Sequence, residues 1–353
     1  MANQRGFTLL AFLFPLNWGP RYSDKGRFPS SIEFSVIRSL IRIKAAISRI
    51  LGRSQDDSTV RFSESERRLS RRYVAFSVRE PLMEELPVES RPPVRLLWMV
   101  HPKDFEVFHH SVESVLTHLK NPVKEVVIIS PDSAVTRAHL ESRVKTDWPI
   151  RFFNDNDFMS KENWERLRKS IGNHAGWAAS QLIKVNFILT GDSTPTLMVN
   201  SDTVLLADKQ WMYSDGRQLL YFRWFDNPRY EKYLRYWGFE EMDSLRSFIT
   251  HHTLFQPDLL RSLIDSTFGA HDLDTLVSAV VSGANALQFP EFCIDDEPYG
   301  QLLFKHYPEI VVLDKYSNAN MSLPKNNESM LRLLQNLRKK GEFNSVSFHK
   351  PER

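Results

Sequence analysis

The sequence predicts an α/β fold in which a mainly parallel sheet is covered by helices. Two apolar runs, RLLWMV at 95–100 and EVVII at 125–129, are typical of buried strands. A helical pattern at about 104–119 lies between them, and a third strand candidate follows at 149–153. Strand, helix and strand in this order form a βαβ unit, which packs helices against a parallel sheet. We therefore expect ligands to bind at the carboxyl ends of the strands.

Composition limits the possible functions. The chain has 353 residues, enough for one large domain or two smaller ones, and its formal net charge of +3 is too small to indicate nucleic-acid binding. The single cysteine, Cys293, excludes an intramolecular disulfide and is compatible with a reducing compartment. The apolar run at 7–16 is about ten residues long, whereas a membrane-spanning helix needs about 20. This run also lacks the flanks of a secretory signal, so we expect a cytoplasmic protein.

The first 90 residues are predicted to be a basic extension that ends in a linker. Residues 31–53 carry apolar side chains close to a helical period, with Arg38, Arg42 and Arg49 among them. This amphipathic helix could bind the inner face of an anionic membrane, or pack on the main domain or a partner, and the sequence leaves both open. A proline-rich stretch before position 91 indicates a linker. We predict an extension at 1–90, a main domain at 91–318, and a C-terminal helix and tail at 319–353.

The first predicted strand runs into a polar turn. Lys103 and Asp104 follow it directly, so a phosphate could contact Lys103 and a nucleotide base or ribose could contact Asp104. The alternative for Asp104 is an N-cap of the following helix. Both roles are compatible with each other.

Further along, a helix presents a mixed polar face after a polar helix at about 161–170. Trp177, Gln181 and Lys184 are spaced i, i+4 and i+7, which places an aromatic ring, an amide and an ammonium group on one side. This face belongs either to a binding site or to the solvent-exposed surface, where Lys and Gln are common.

An apolar run at 196–206 is interrupted in the middle by Asn200, Ser201 and Asp202. Burying a carboxylate without a partner is costly. We therefore expect this strand to deliver Asp202 to a cleft where a cation or hydrogen-bond donors meet it.

The next segments are a strand at 218–224, an aromatic-rich helix at 229–237 that we assign to packing, and a strand at 247–255. The last contains His251 and His252. Successive side chains of a strand point to opposite faces, so at most one of the two histidines is expected to face the cleft. Either could also be a hydrogen-bonded structural residue.

Three carboxylates, Asp295, Asp296 and Glu297, stand between an apolar segment and a Tyr-Gly turn. Like charges this close raise one another's pKa unless they are paired. The pattern is typical of a general base, an acceptor-binding group or a metal site, but acidic residues at a helix N-terminus give the same pattern.

Taken in order, these motifs resemble a bacterial family of GT-A glycosyltransferase-like proteins whose function has not been assigned. The resemblance spans roughly residues 91–316 and does not cover the first 90 residues or the tail. The matching motifs are KD at 103–104, GW at 176–177, QLIK at 181–184, NSDTV at 200–204, SFITHH at 247–252 and DDEPYG at 295–300. The resemblance implies a GT-A-like fold and a nucleotide-sugar-dependent glycosyltransferase with a metal-binding Asp-x-Asp motif.

Carried over by position, Asp202 is similar to the second aspartate of that motif and Asn200 replaces the first. His251 and His252 match paired histidines, Asp295 and Glu297 match the acidic residues before Tyr-Gly, and Ser180 stands where the family often has a glutamine. An amide oxygen is a weaker ligand for a hard cation than a carboxylate, so Asn200 departs from the pattern in a way that bears on metal affinity.

The resemblance implies roles for these residues. Mn²⁺ or Mg²⁺ would be held by Asp202 and Asn200, and Asp295, Glu297 and His252 are the catalytic candidates, as a base in an inverting reaction or as acceptor-orienting groups in a retaining one. The expected partners are a nucleotide-sugar donor and a glycan or lipid-linked acceptor. The residues expected to bind the nucleotide sugar are Lys103, Asp104, Trp177, Gln181, Lys184, Asn200, Ser201 and His251.

Two other functions compete with this hypothesis. A catalytically degenerate GT-A domain would bind nucleotide or glycan and act as an interaction module, and Asn200 motivates that alternative. A nucleotidyltransferase is less consistent with the sequence, because the turn after the first strand has no glycine-rich phosphate loop.

Overall fold

The computed structural model describes residues 83–224, 228–239, 246–290 and 292–349. The predicted helix at 31–53 and nearly all of the predicted extension at 1–90 lie outside these residues. Within the described ranges, the helices are too short or too polar to cross a membrane.

The centre of the fold is a five-stranded sheet with the strand order β3-β2-β1-β4-β8. The first four of these strands are parallel to their neighbours, and β8 is antiparallel to β4. The α/β class with a mainly parallel sheet, predicted from the sequence, is thereby confirmed. The strands are β1 (Val94–Met99), β2 (Val123–Ser130), β3 (Ile150–Asn154), β4 (Thr196–Asn200) and β8 (His252–Phe255).

Two three-stranded sheets flank the central one, with the orders β10-β11-β5 and β7-β6-β9. The strand β11 is parallel to β10 and antiparallel to β5. The C-terminal segment predicted as a helix and tail therefore includes a strand that pairs with β5, directly after β4. The strands are β5 (Thr203–Leu205), β6 (Gln218–Trp224), β7 (Arg246–Ser247), β9 (Val311–Lys315), β10 (Asn318–Ser322) and β11 (Ser345–His349).

Helices cover the sheets, and four of those described begin at a polar side-chain cap. The side chains of Asp132, Ser160, Asp272 and Asn326 each accept a hydrogen bond from a backbone N–H of the first helical turn. The helices are α1 (Phe105–His118), α2 (Ser133–Glu141), α3 (Lys161–Ile171), α4 (Ala175–Thr190), α5 (Pro228–Tyr236), α6 (Pro257–Phe268), α7 (Leu273–Leu287), α8 (Asp296–His306) and α9 (Asn327–Lys340).

Two apolar clusters hold these layers together, and α1 belongs to both. Phe108 of α1 packs with Trp98 of β1 in the main cluster, where both side chains are fully buried. Val107, its neighbour, packs with Val346 and Phe348 of β11 in the second cluster. Burial of such side chains stabilises the fold by about 1.5–3 kcal/mol each. The second cluster fixes β11 beside β5, and so brings the end of β11 to the end of β4.

Candidate functional site

The site begins where β4 ends. The Asn200 N–H donates to the His251 carbonyl over 2.8 Å, which extends the pairing of β4 with β8 by one residue. Two residues later the Asp202 carbonyl accepts from the Phe348 N–H over 2.9 Å. The chain turns between these two bonds, so Asp202 lies at the carboxyl edge of the sheet with its side chain 22% exposed.

Three side chains surround the Asp202 carboxylate. The Thr203 hydroxyl donates to Oδ1 over 3.1 Å, and His349 Nδ1 lies 3.5 Å from Oδ2. His251 Nδ1 is 3.9 Å from Oδ1, too long for a direct hydrogen bond. Burial works to raise the pKa of Asp202, but the interactions with His251 and His349 outweigh it and hold that pKa below its usual value. Asp202 is therefore ionised at neutral pH and able to bind a cation.

The ends of β1 and β4 are joined by a side-chain hydrogen bond. The buried Ser201 hydroxyl donates to Asp104 Oδ2 over 2.8 Å. Burial raises the pKa of Asp104, while the bond from Ser201 and the charge of Lys103 oppose that rise only in part. Asp104 is the N-cap residue of α1, as the alternative for it predicted, but its carboxylate makes no capping bond there. Lys103 is exposed beside it.

His251 and His252 have different surroundings. His251 is 23% exposed and its Nδ1 lies 2.9 Å from the Ser347 hydroxyl. His252 is buried, its ring lies edge-on to Trp211 and Tyr221, and its Nε2 lies 3.2 Å from the Ser345 hydroxyl. Burial lowers the pKa of His252 to about 3, so its imidazole is neutral.

The mixed face of α4 meets the segment that precedes α8. Lys184 Nζ lies 3.0 Å from Asp295 Oδ2 with both side chains buried, and the Gln181 side-chain oxygen accepts from the Ile294 N–H over 2.9 Å. Trp177, at the outer end of the same face, is 38% exposed and packs on Phe292 with ring centroids 5.2 Å apart. Burial acts to lower the pKa of Lys184, but the charges of Asp295 and Asp296 raise it overall. Lys184 and Asp295 thus form a buried ion pair.

Glu297 is fully buried and its two carboxylate oxygens bind neighbouring chain segments. One oxygen accepts from the Phe248 N–H over 2.8 Å and the Ser247 hydroxyl over 2.9 Å, and the other accepts from the Gln301 amide over 2.9 Å. Burial raises the pKa of Glu297 despite these bonds. The carboxylate ties α8 to the segment before β8. Gly300 permits that contact, because a Cβ there would lie 2.2 Å from Phe248 Cβ.

Asp296 has a different environment from its two neighbours. It is 6% exposed, and its Oδ1 has no hydrogen-bond partner in the described part of the chain. Burial and the charge of Asp295 raise its pKa well above the usual value, while Thr253 and the Thr250 backbone oppose that rise. Because Thr250 precedes His251, the acidic segment and the Asp202 site lie on either side of the same short stretch, residues 250–253.

Several residues at this site were not predicted from the sequence. His349, Ser347 and Ser345 reach it only because β11 pairs with β5, and Tyr316 reaches it by accepting from the His251 N–H over 3.1 Å. The alternation of Ser345, Ser347 and His349 along one strand is the signal that could have found them, since alternate residues share a face.

The side chains around Asp202 fit a divalent cation as a partial set of ligands. Among the described residues, no group of three or more His, Cys, Asp and Glu side chains is close enough to hold an ion. The donors are the Asp202 carboxylate and the imidazole of His349, 3.5 Å from it, and Asn200 ends β4 two residues before Asp202. Such incomplete sets are common where substrate phosphates and water supply the remaining ligands.

A cavity of about 410 Å³ lies away from this site, between α1 and α9. Its walls include His110, Leu334 and Arg338. None of the residues that the sequence predicted for nucleotide, metal or catalysis lines it.

Solved structures with similarity to this chain include glycosyltransferases, at low identity and low TM-score. A scan of protein-family models and a search of curated proteins found no match. Among solved structures, the mannosyltransferase Ktr4p from S. cerevisiae is 10% identical with a TM-score of 0.45, and the similarity covers 71% of this chain and 77% of that one. Ktr4p has also been solved in complex with GDP.

Two further structures have lower scores. The galactosyltransferase LgtC, solved with donor and acceptor sugar analogs, is 12% identical with a TM-score of 0.38, covering 73% of this chain and 88% of that one. Mouse xyloside xylosyltransferase 1 is 10% identical with a TM-score of 0.38, covering 72% and 97%. Because each TM-score is below 0.5, the function of this chain has to be argued from its own residues.

Proposed function

We propose that this protein is a nucleotide-sugar-dependent glycosyltransferase that transfers a sugar to a glycan or cell-envelope acceptor with the help of a divalent cation. The observation that carries the proposal is the ionised Asp202 at the carboxyl edge of the sheet, with His349 3.5 Å from its carboxylate. The order of the sequence motifs, similar to that of GT-A glycosyltransferase-like proteins, supports the same function.

The donor would be bound at the ends of β1 and β4. Asp202, His349 and Asn200 would hold Mn²⁺ or Mg²⁺, and the imidazole donor favours Mn²⁺ over Mg²⁺. The cation would stabilise the charge of the nucleoside diphosphate leaving group. Exposed Lys103 is available for a phosphate, and the bond from Ser201 orients Asp104 for a ribose or base.

The acceptor would be bound near the start of α8. Lys184 occupies one oxygen of Asp295, and the bonds to Glu297 occupy both of its oxygens, so these carboxylates support the acceptor site by holding its walls. Asp296 has an oxygen without a partner among the described residues and a raised pKa. A raised pKa suits a base that takes the proton of an acceptor hydroxyl. We therefore propose Asp296 as the base, a role that the sequence analysis gave to Asp295, Glu297 or His252.

The test is nucleoside diphosphate binding by calorimetry, with and without Mn²⁺. We expect binding of UDP or GDP that requires Mn²⁺ and weakens at least tenfold in Asp202→Ala. Asp258→Ala is the matched control, because Asp258 is exposed and, in the described part of the chain, its carboxylate bonds to Arg261 and Ser193 on the surface. Metal-independent binding that Asp202→Ala leaves unchanged would overturn the proposed role of Asp202.

Asn200 favours a second candidate, a catalytically degenerate domain that binds nucleotide or glycan without turnover. Incubation with a panel of nucleotide sugars and Mn²⁺ separates the two functions. Transfer, or even slow hydrolysis, of one donor that is lost in Asp202→Ala excludes the degenerate domain. Metal-dependent nucleotide binding without turnover across the panel favours it.

We also propose that residues 31–53 contact an anionic membrane surface. The basis is the sequence alone, which places Arg38, Arg42 and Arg49 among apolar residues at a helical period. We expect the full chain to sediment with phosphatidylserine-containing liposomes and to be released by salt. If the triple Arg→Gln variant sediments equally well, the electrostatic part of this proposal is wrong.

A further inference from the structure

A chain of hydrogen-bonding side chains runs from His251 to Asp202. His251 Nδ1 lies 2.9 Å from the Ser347 hydroxyl, which lies 2.9 Å from the Thr203 hydroxyl, and that hydroxyl lies 3.1 Å from Asp202 Oδ1. Ser347 and Thr203 are both completely buried. Water therefore cannot replace either hydroxyl as a partner, and the three contacts have to be satisfied by the protons of these side chains.

Counting protons shows that these hydrogen bonds all run in one donor-to-acceptor direction, from His251 to Asp202. An ionised carboxylate can only accept, so the Thr203 proton is used in the contact with Asp202. The Thr203 oxygen must then accept from Ser347, which uses the Ser347 proton. His251 Nδ1 lies 2.9 Å from the Ser347 hydroxyl and 3.2 Å from the Thr203 hydroxyl, and both contacts are left with one donor, the Nδ1–H of the imidazole. If Nδ1 carried no proton, the protons of Thr203 and Ser347 would have to serve all three contacts. One pair of atoms, two oxygens or an oxygen and a nitrogen, would then face each other with lone pairs only.

The neighbouring strand β10 supports this direction. The Asn318 amide nitrogen donates to Ser347 over 3.2 Å, so Ser347 accepts there as well. The Asn318 side-chain oxygen accepts from Ser345 over 2.7 Å and is 3.4 Å from the Ser347 hydroxyl, which lies only 2.9 Å from Thr203. The shorter contact directs the Ser347 proton toward Thr203.

We propose that Ser347 is a positioning residue that holds His251 as the Nδ1–H tautomer, so that Nε2 presents a lone pair beside the Asp202 site. No hydrogen-bond partner of His251 Nε2 occurs in the described ranges, and the side chain is 23% exposed. A neutral imidazole in this tautomer accepts through Nε2 but does not donate there. The ligand of Nε2 must therefore accept an electron pair, as a divalent cation or the hydrogen of a sugar hydroxyl does. A phosphate oxygen, which has only lone pairs to offer, is excluded.

This inference rests on the proposed function only for the identity of the ligand. The tautomer itself follows from the buried contacts and can be measured without substrate. An NMR experiment that correlates the imidazole nitrogens with the ring protons distinguishes the two tautomers, because protonated and unprotonated ring nitrogens have different ¹⁵N shifts.

The experiment uses the full chain labelled with ¹⁵N-histidine at a pH where His251 is neutral. His251→Gln assigns the resonances by removing them. We expect a protonated Nδ1 and an unprotonated Nε2 in the native protein and in Ser347→Thr. In Ser347→Ala we expect a partial shift toward the other tautomer, because the Thr203 hydroxyl, 3.2 Å from Nδ1, remains as an acceptor. Ser345→Ala is the matched control on the same strand, since Ser345 contacts His252 and Asn318 instead. A protonated Nε2 in the neutral native protein would overturn the proposal without any variant.

Ligand additions identify what Nε2 binds. A change in the Nε2 shift on adding Zn²⁺ alone assigns the lone pair to a cation, and a change only with nucleotide sugar present assigns it to a hydroxyl. If neither addition changes the Nε2 shift, the proposed ligand contact is wrong. We also expect Ser347→Ala to weaken Mn²⁺-dependent UDP or GDP binding about tenfold, while the Ser345→Ala control, which also removes a buried hydroxyl, lowers Tm similarly but leaves binding near the native value. Ser347→Thr should restore binding. If the native protein binds neither nucleotide while the tautomer is as expected, the proposed function fails and the positioning role of Ser347 stands.

Discussion

This protein has two acidic regions, Asp202 at the end of β4 and the segment 295–297 at the start of α8. The fold shifts the pKa of Asp202 in one direction and the pKa values of Asp296 and Glu297 in the other. Asp202 is partly exposed next to two imidazoles, and its pKa is lowered. Asp296 and Glu297 are almost entirely buried, and their pKa values are raised. Cation binding requires an ionised carboxylate, whereas proton transfer requires one that can be protonated near the working pH. The difference suits the first region to the donor and the second to the acceptor.

The largest expected effect is a loss of turnover in Asp202→Ala, a variant that should still fold. We expect Asp202→Ala to lower turnover by about 10²–10³-fold, as removal of a group that stabilises transition-state charge commonly does. Its thermal unfolding should change little, because the side chain is partly exposed and receives one hydroxyl bond. Turnover and Tm measured on the same preparation check this. An equal loss in Asp258→Ala would show that the effect is not specific to the site.

Glu297 should behave in the opposite way, as a group that stabilises the fold. Glu297→Ala removes the acceptor of three buried hydrogen bonds, from Phe248, Ser247 and Gln301, and opens a cavity. We expect it to lower the free energy of unfolding by about 2–4 kcal/mol, since each buried unsatisfied group costs about 1–3 kcal/mol. Urea unfolding of Glu297→Ala and Glu297→Gln checks this, with the larger loss in Ala. Normal stability with lost turnover in Glu297→Ala would assign Glu297 to catalysis and break the comparison.

The smallest effect concerns the pH dependence of stability at Asp296. Its folded-state pKa is raised, so the folded state binds more protons than the unfolded state between the two pKa values. The stabilising contribution is therefore present below the unfolded pKa and is lost as pH rises through the folded pKa. We expect Asp296→Asn, which cannot ionise, to be more stable than the native protein at pH 8 by roughly 1 kcal/mol and similar to it at pH 4.

Chemical unfolding at several pH values between 4 and 8 measures that difference. The same series on Asp202→Asn, extended below pH 4, should give the opposite sign. A lowered folded pKa contributes stability above the unfolded pKa, and that contribution is lost as pH falls through the folded pKa. If both variants show the same sign, the two regions do not differ in the way described here.

The sequence predicted the framework of the site better than its detail. The apolar runs at 95–100 and 125–129 and the helix between them predicted the parallel sheet, because strands buried on both faces have a distinctive composition. The interruption at 200–202 predicted the end of β4. The pairing of Lys184 with Asp295 and the enclosure of Glu297 depend on how α4 and α8 pack, and spacing along one helix carries no information about its partner.

The contribution of β11 was the least predictable part. His349 and Ser347 are far from Asp202 in the chain, and they lie in a segment that the sequence indicated as a helix and tail. Val346 and Phe348 alternate with them and are buried in the second apolar cluster. The apolar side chains therefore fix the strand, and the polar side chains between them face the site.

The antiparallel strand β8 changes which segments of the chain reach the binding edge of the sheet. A purely parallel sheet offers only the ends of its strands at the binding edge. Because β8 runs the other way, the residues that precede it, Thr250 and His251, arrive at the same edge as the residues that follow β4. One reversed strand thus allows segments before a strand, as well as segments after one, to supply a binding group. In α/β sequences of this type, binding residues should therefore be sought both before and after each apolar strand.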